Sequence, residues 1–245
     1  MTFLYHEIFY RPILNLLVFI TSHMPGHDLG FAIIILTILI RLALLPLSKS
    51  SIKSQKSLQD LQPKIDEVKA KYKDKKDEMG RAMLALYKEH KVNPFSSCLP
   101  LLIQFPFLIA IFQVFKAGIN DQTSSLLYSF VSKPEQVNTI FLSILDLNKP
   151  NYILAILAGA AQFWQAKMMS TKRAEVKAPG AKDEDFAAIM NKQMLYFMPA
   201  MTVFIGATLP AGLALYWLIT TVLTALQQVY IFKQKKPAII PPDNN

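Results

Sequence analysis

Arg41 is the single charge in the apolar run FAIIILTILIRLALLPL, residues 31–47. A cation inside such a run costs at least ~2.5 kcal/mol on insertion scales, so it needs water, a partner or a function to offset it. Other apolar runs carry polar groups of their own: Gln104 in one, Gln162 and Gln165 three apart in another, and Thr37 one turn before Arg41. Together these groups could line one wet recess, and the chemistry they could do there is non-covalent. A guanidinium with no acidic residue in any apolar run would attract acidic or polar stretches of a visiting chain. Blander readings stand beside this one. Arg41 lies six residues before Leu47, roughly 9 Å at 1.5 Å per residue, so its side chain could reach the headgroups by snorkelling. The glutamines could simply hydrogen-bond neighbouring helices. Trp164 and Trp217 fit interfacial anchoring or packing as well as contact with a visitor.

Covalent chemistry finds no support in the sequence. It contains no GxSxG, no HExxH, no Walker-type phosphate loop and no pair of aspartates within an apolar run, so an enzyme is not expected. His23 and His27 are four apart, but Pro25 and Gly26 interrupt the helix that metal spacing would require. The one cysteine, Cys98, excludes an internal disulfide and any CxxC motif. The 10 methionines, among them Met168, Met169, Met194, Met198 and Met201, suit plain packing or an adaptable greasy surface.

The elements that must position Arg41 and the glutamines are membrane helices. Over 245 residues the chain is 52% hydrophobic, too apolar for an ordinary soluble core, and an all-α polytopic membrane protein is expected. Residues 1–28 predict an amphipathic helix in the interface: Ile8, Phe9, Pro12, Ile13, Leu16, Leu17 and Ile20 recur at helical spacing, with Glu7, Arg11 and Asn15 on the other side. Its apolar stretch, Ile13 to Ile20, is too short to cross ~30 Å of hydrocarbon, and HMPGHD ends it. Glu7 and the lack of a small-x-small site argue against a cleaved signal, so these residues are expected in the mature protein. Five crossings follow, at 29–47, 94–115, 152–169, 194–209 and 212–232. Pro46 marks the exit of the first, Pro100 and Pro106 imply kinks in the second, and Ala155 and Gly159 give the third a spacing for close helix contact. GATLPAG, residues 206–212, separates the last two.

Charge sets the expected orientation. Residues 48–92 hold 12 Lys/Arg, residues 170–193 hold 5 and the tail from Lys233 holds 3, all on one side, facing Arg11, Lys133 and Lys149 on the other. The positive-inside rule then puts the N-terminus outside and the C-terminus in the cytoplasm, and the net charge of +9 is topological and not a sign of nucleic-acid specificity. Within 48–92, Leu58, Leu61, Ile65, Val68 and Tyr72 form one apolar stripe and Met83, Leu84, Leu86 and Tyr87 a second, with KDKKD between them. Two antiparallel helices forming a cytoplasmic hairpin are expected, serving either as structure or as a docking element. Residues 233–245 read as a flexible cytoplasmic tail.

IRLALLPL with Arg41, LQPKIDEVKAKY, KVNPFSSCLPLLIQFPF and TLPAGLALYW, in this order and over nearly the whole chain, resemble the YidC/Oxa1/Alb3 insertases. The resemblance implies a bacterial plasma (inner) membrane protein that inserts and helps fold other membrane proteins. It implies a five-helix core around a groove open to cytoplasm and lipid, with Arg41 as the groove arginine and Gln104, Gln165 and Trp217 as further groove positions. It implies no cofactor, and as partners nascent membrane proteins, the bilayer, the Sec translocase and the translating ribosome. The compact form without a large periplasmic domain is the closer pattern. Its members are often lipoproteins, yet neither signal peptide nor lipid-bearing cysteine is visible here, and the tail is short and weakly basic for gripping a ribosome. Two other functions remain compatible with the residues. A small-solute transporter fits the kinked spans and the arginine, though no internal repeat supports it, and a scaffold subunit fits the hairpin.

Overall fold

In the computed structural model, residues 2–72, 75–93, 99–134, 136–169 and 192–234 are described. Residues 94–98 of the second expected crossing with Cys98, the basic segment 170–191, Lys73 and Asp74 of the expected hairpin turn, and the tail 235–245 lie outside the described residues.

Helix α1 runs through Thr2–Tyr5, a π-helical stretch His6–Tyr10 and Arg11–His23. It stops at Met24, where Pro25–His27 make a short 3₁₀ turn and Gly26 takes φ +67°, a conformation that costs glycine nothing. Asp28 then caps α2, Leu29–Ala43, by accepting hydrogen bonds from the backbone N–H groups of Gly30 and Phe31 at 2.7 and 3.1 Å. After a bend of 69°, α3 covers Leu45–Lys71. It is followed by α4, Lys76–Glu89, α5, Leu99–Ala117, and the short α6, Asp121–Ser124. A two-stranded antiparallel hairpin, β1 Ile140–Phe141 and β2 Leu145–Asp146, precedes α7, Tyr152–Met169. The last two helices are α8, a π-helical Gln193–Phe197 continued by Met198–Thr208, and α9, Ala211–Lys233.

Three features differ from the sequence-based expectation. The first apolar helix ends at Ala43 with Leu44 as its cap, before Pro46 and not at Leu47, because Pro46 has no N–H for the Leu42 carbonyl four residues back and its ring crowds that carbonyl, so the helix breaks ahead of the ring. Residues 45–47 instead open the next helix, with Pro46 in its first turn, where the missing N–H has no partner to lose. Second, α1 is longer than its apolar stretch: Phe3–His23 and Ala211–Lys233 are the two helices among the described residues long and apolar enough to cross a membrane. The bent α2–α3 pair makes up to three. The expectation counted Ile13 to Ile20 alone, whereas Phe3, Leu4, Tyr5, Ile8 and Phe9 extend the same helix. Third, the polar side of α1 does not face outward. Asn15 is buried, donating to the carbonyls of Arg11 and Leu126 at 2.8 and 3.0 Å and accepting from the Tyr128 N–H at 2.6 Å. Arg11 pairs with Glu7 at 3.1 Å, donates to Leu126 O at 3.1 Å and lies 4.9 Å from the Tyr128 ring centroid. Glu7, Arg11 and Asn15 are thus the seam joining α1 to the loop after α6.

The main core joins α1, α2, α5 and α9 through Leu14, Leu17, Ile33, Leu36, Ile111, Val114 and Tyr216. Helices α7 and α8 pack closely at small residues. A Cβ on Gly159 would stand 2.3 Å from Val203 Cγ2, and one on Gly206 3.1 Å from the Ala155 Cβ, so the Ala155/Gly159 spacing is used for backbone approach. Leu61, Ile65 and Leu86 form a separate cluster that joins α3 to α4, with Val68, Met83 and Tyr87 packed on it, while Leu84 of the expected second stripe is exposed.

Candidate functional site: a polar bridge across three helices

Arg41 sits in the last turn of α2, where the approaching carbonyl end of a helix favours a cation. Its Nη2 donates to Gln104 Oε1 on α5 at 3.3 Å, and Gln104 Nε2 donates in turn to the hydroxyl of Tyr216 on α9. One charged and two neutral side chains therefore connect three helices whose neighbouring positions are otherwise packed with aliphatic groups. Arg41 and Gln104 are half-buried and Tyr216 is 2% exposed, so the bridge runs from a partly open edge to a closed interior. Among the described residues no carboxylate lies within ion-pair distance of Arg41.

Tyr216 belongs to the bridge but not to the residues singled out from the sequence. The signal for it was present: Tyr216, Thr220, Thr224 and Gln228 recur at i,i+4 along α9, a polar stripe in an apolar helix. The stripe faces inward, with Tyr216, Thr220 and Gln228 buried, and Thr224 satisfies its hydroxyl on the Thr220 carbonyl at 2.7 Å. The buried Oε1 atoms of Gln227 and Gln228 accept no hydrogen bond from described protein groups. A buried amide oxygen without a protein donor is ordinarily satisfied by water.

The remaining sequence-derived positions stand apart from the bridge. Thr37 is fully buried and its hydroxyl donates to the Ile33 carbonyl at 2.6 Å, a bond within its own helix. Gln162 on α7 accepts from Thr202 Oγ1 on α8, so it joins that helix pair. Gln165 and Trp217 are half-buried, and Trp164 is exposed at 44%.

Polar groups also close the far end of this assembly. Lys56 of α3 donates to the Phe232 carbonyl at the end of α9, and Gln59, one turn on, donates to the Met168 carbonyl at the end of α7 at 3.4 Å. The bend after Leu44 is what lays α3 across these two carbonyl-rich termini.

Comparison with known proteins agrees with this architecture. The family model of the 60Kd inner membrane protein matches residues 19–238. A protein of Fusobacterium nucleatum subsp. nucleatum named membrane protein insertase YidC is 37% identical over 207 residues, covering 84% of this chain and 87% of its own length. Relatives of the same name from Geotalea daltonii and Syntrophus aciditrophicus are 34% and 39% identical over 91% of this chain, which spans only 37% and 36% of their lengths. In fold, the chain is similar to a crystal structure of an active YidC insertase with its first transmembrane domain resolved, at a TM-score of 0.57 and 24% identity over 95% of this chain and 47% of that one. With the matched model extending from within α1 to beyond the end of α9, the chain belongs to the 60Kd inner membrane protein family, that of the YidC membrane protein insertases.

Proposed function

We propose that this protein inserts hydrophobic segments of other proteins into the bacterial inner membrane and assists their folding there, without covalent chemistry. The observation that carries the reading is the Arg41 guanidinium, held by Gln104 and through it by Tyr216, yet without a carboxylate of its own among the described residues. Such a cation at a half-open edge attracts the acidic or polar part of a passenger, while the apolar part stays with lipid. The polar stripe of α9 and the unpartnered glutamine oxygens support a hydrated recess behind Arg41. Entry of the passenger is driven by hydrophobic partitioning and by the membrane potential, the latter worth ~2.3 kcal/mol per charge at 100 mV.

In this reading α2, α5, α7, α8 and α9 are five crossings, α1 lies on the outer side, and the α3–α4 hairpin and the C-terminus are cytoplasmic, where the basic residues of 48–92 concentrate. Gln104 and Tyr216 position Arg41, while Gln165 and Trp217 line the recess beyond the bridge. Nascent membrane proteins are the passengers, delivered by ribosomes or passed on by the Sec translocase.

The test is complementation of an insertase-depleted strain, read by protease protection of a small passenger with an acidic translocated tail. Rescue by the unaltered chain is expected, lost in Arg41→Ala at equal expression and largely kept in Arg41→Lys. Full insertion by Arg41→Ala would overturn the role of the cation. Failure of the unaltered, well-expressed chain to rescue would favour solute transport or scaffolding instead.

A further inference from the structure

We propose that the tip of the β1–β2 hairpin, carried by Ile140, Leu142 and Ile144, is immersed in the hydrocarbon edge of the leaflet where α2 begins, making it a membrane anchor separate from the helices. The proposal rests on the reading of α2 as a crossing. The chain on either side of Asn138 runs parallel to the start of α2: Asp28 bridges to Asn138, the Leu29 N–H donates to the Asn138 carbonyl at 2.9 Å, and the Asn138 N–H donates to the His27 carbonyl at 3.1 Å. Three residues later the Phe141 ring lies against Gly30, where an added Cβ would meet Phe141 Cδ2 at 2.1 Å, and its centroid is 5.2 Å from that of Phe31. The strand therefore follows α2 in the direction in which α2 enters the bilayer. Because Phe141 packs on Gly30 and Phe31, the turn lies abreast of the first turn of α2, at the level where α2 enters.

What the hairpin carries along that path matches a bilayer's depth profile. Its tip leaves Ile144 88%, Leu142 59% and Ile140 49% exposed, continuous with the exposed Phe31 of α2. At its base Asp146 and Lys149 pair at 3.0 Å, and the backbone there is fastened to the start of α9 by the Ala211 N–H donating to the Lys149 carbonyl at 2.9 Å. The turn itself places Leu142 and Ser143 at φ +53° and +60°. Hairpins usually fill such positions with asparagine or glycine, whereas here the turn presents the exposed side chain of Leu142 outward, next to the exposed Phe31 that lipid would border.

Nitroxide labels test the proposal in the full chain, with Cys98→Ser, in phosphatidylethanolamine/phosphatidylglycerol vesicles carrying a water-soluble nickel complex on both sides. Labels are placed singly through Ile144→Cys, Leu142→Cys, Lys149→Cys and, as a mid-helix reference on α2, Leu39→Cys. The expected result is a several-fold higher ratio of oxygen to nickel collision at 144 and 142 than at 149, approaching that at 39. Nickel access at 144 and 142 equal to that at 149, with 39 still shielded, overturns the proposal and leaves α2 as a crossing. Nickel access at 39 overturns both. Dipolar broadening between labels at 144 on two molecules identifies a second copy of the chain as the occupant and also overturns it.

Discussion

The Lys56 ammonium lies 3.0 Å from the Phe232 carbonyl oxygen and 5.6 Å from the centroid of the Phe232 ring, across 176 residues of sequence. The last carbonyls of a helix have no partner within it and carry the negative end of its dipole, so a cation there satisfies both needs. Gln59 does the same for α7 without charge. The α3 helix is thereby attached to the ends of α7 and α9 by hydrogen bonds, and to α4 through the apolar Leu61–Ile65–Leu86 cluster and the Lys64–His90 contact at 3.0 Å.

Lys56→Ala should loosen that attachment. The expected loss is about 0.3–1 kcal/mol, the usual worth of a cation at a helix C-terminus, and Lys56→Arg should retain most of it. Hydrogen exchange should quicken in the first turns of α3 and the last turn of α9 but not in the Leu61–Ile65–Leu86 cluster. Equal acceleration in that cluster would mean that the two attachments are not separate.

Gly159 leaves no room for a Cβ between α7 and α8. Gly159→Ala should lower the melting temperature, with a cost of about 1–3 kcal/mol for overpacking. The clash is with Val203 Cγ2, the end of a side chain, although the Pro199 carbonyl at 3.1 Å limits further movement. Val203→Ala in the same chain should recover part of the loss, and the double-mutant cycle should show a favourable coupling between the two changes. Additive losses would place the strain at Pro199 instead.

How much of this was legible in the sequence depends on how local each cause is. Pro25 and Gly26 announced the break after α1, and Leu209 with Pro210 stands between α8 and α9 because GATLPAG supplies the local chemistry of a turn. Pro46 marks an exit in the sequence, but the bond it cannot make is to Leu42, four residues back, which puts the break at Leu44. Arg41 stood out as a charge among aliphatics. Its acceptor, Gln104, is 63 residues away and no periodicity within either helix pairs them. Asn15 was misplaced for the same reason: the groups that satisfy it, Leu126 and Tyr128, are supplied by a distant loop. Lys56 is one of 26 basic residues, and in a segment rich in lysine nothing local marks it as the one that caps α9.

Tyr216→Phe isolates the inner end of the polar bridge. The ring stays and the hydroxyl that accepts from Gln104 Nε2 is lost, leaving that amide N–H without its partner in a half-buried place. The expected cost is about 0.5–1.5 kcal/mol of stability, read from thermal unfolding. Passenger insertion should fall less than in Arg41→Ala, since the guanidinium and its bond to Gln104 remain. Gln104→Leu removes both bonds and should cost more than Tyr216→Phe. A Gln104→Leu chain as stable as the unaltered one would show that water replaces the bridge at no cost.

At the base of the β-hairpin, the hydrogen bond from Lys149 holds the Asp146 carboxyl below the ordinary carboxylate range, with further help from the Asn148 N–H at 3.0 Å and despite a small opposing effect of burial. A carboxylate with a depressed folded-state pKa contributes stability that is present above its unfolded pKa and is lost as the pH falls through the folded one. The contact is therefore intact at neutral pH and fades only in acid, below the ordinary carboxylate range. Because the group is exposed, solvent screens it and the energetic effect is small. The sensitive measurement is the carboxyl carbon titration of Asp146 by NMR. Its midpoint should lie below that of a free aspartate and rise in Lys149→Gln, which keeps the backbone carbonyl that fastens the loop to Ala211. An unchanged midpoint in Lys149→Gln would assign the shift to the Asn148 N–H alone.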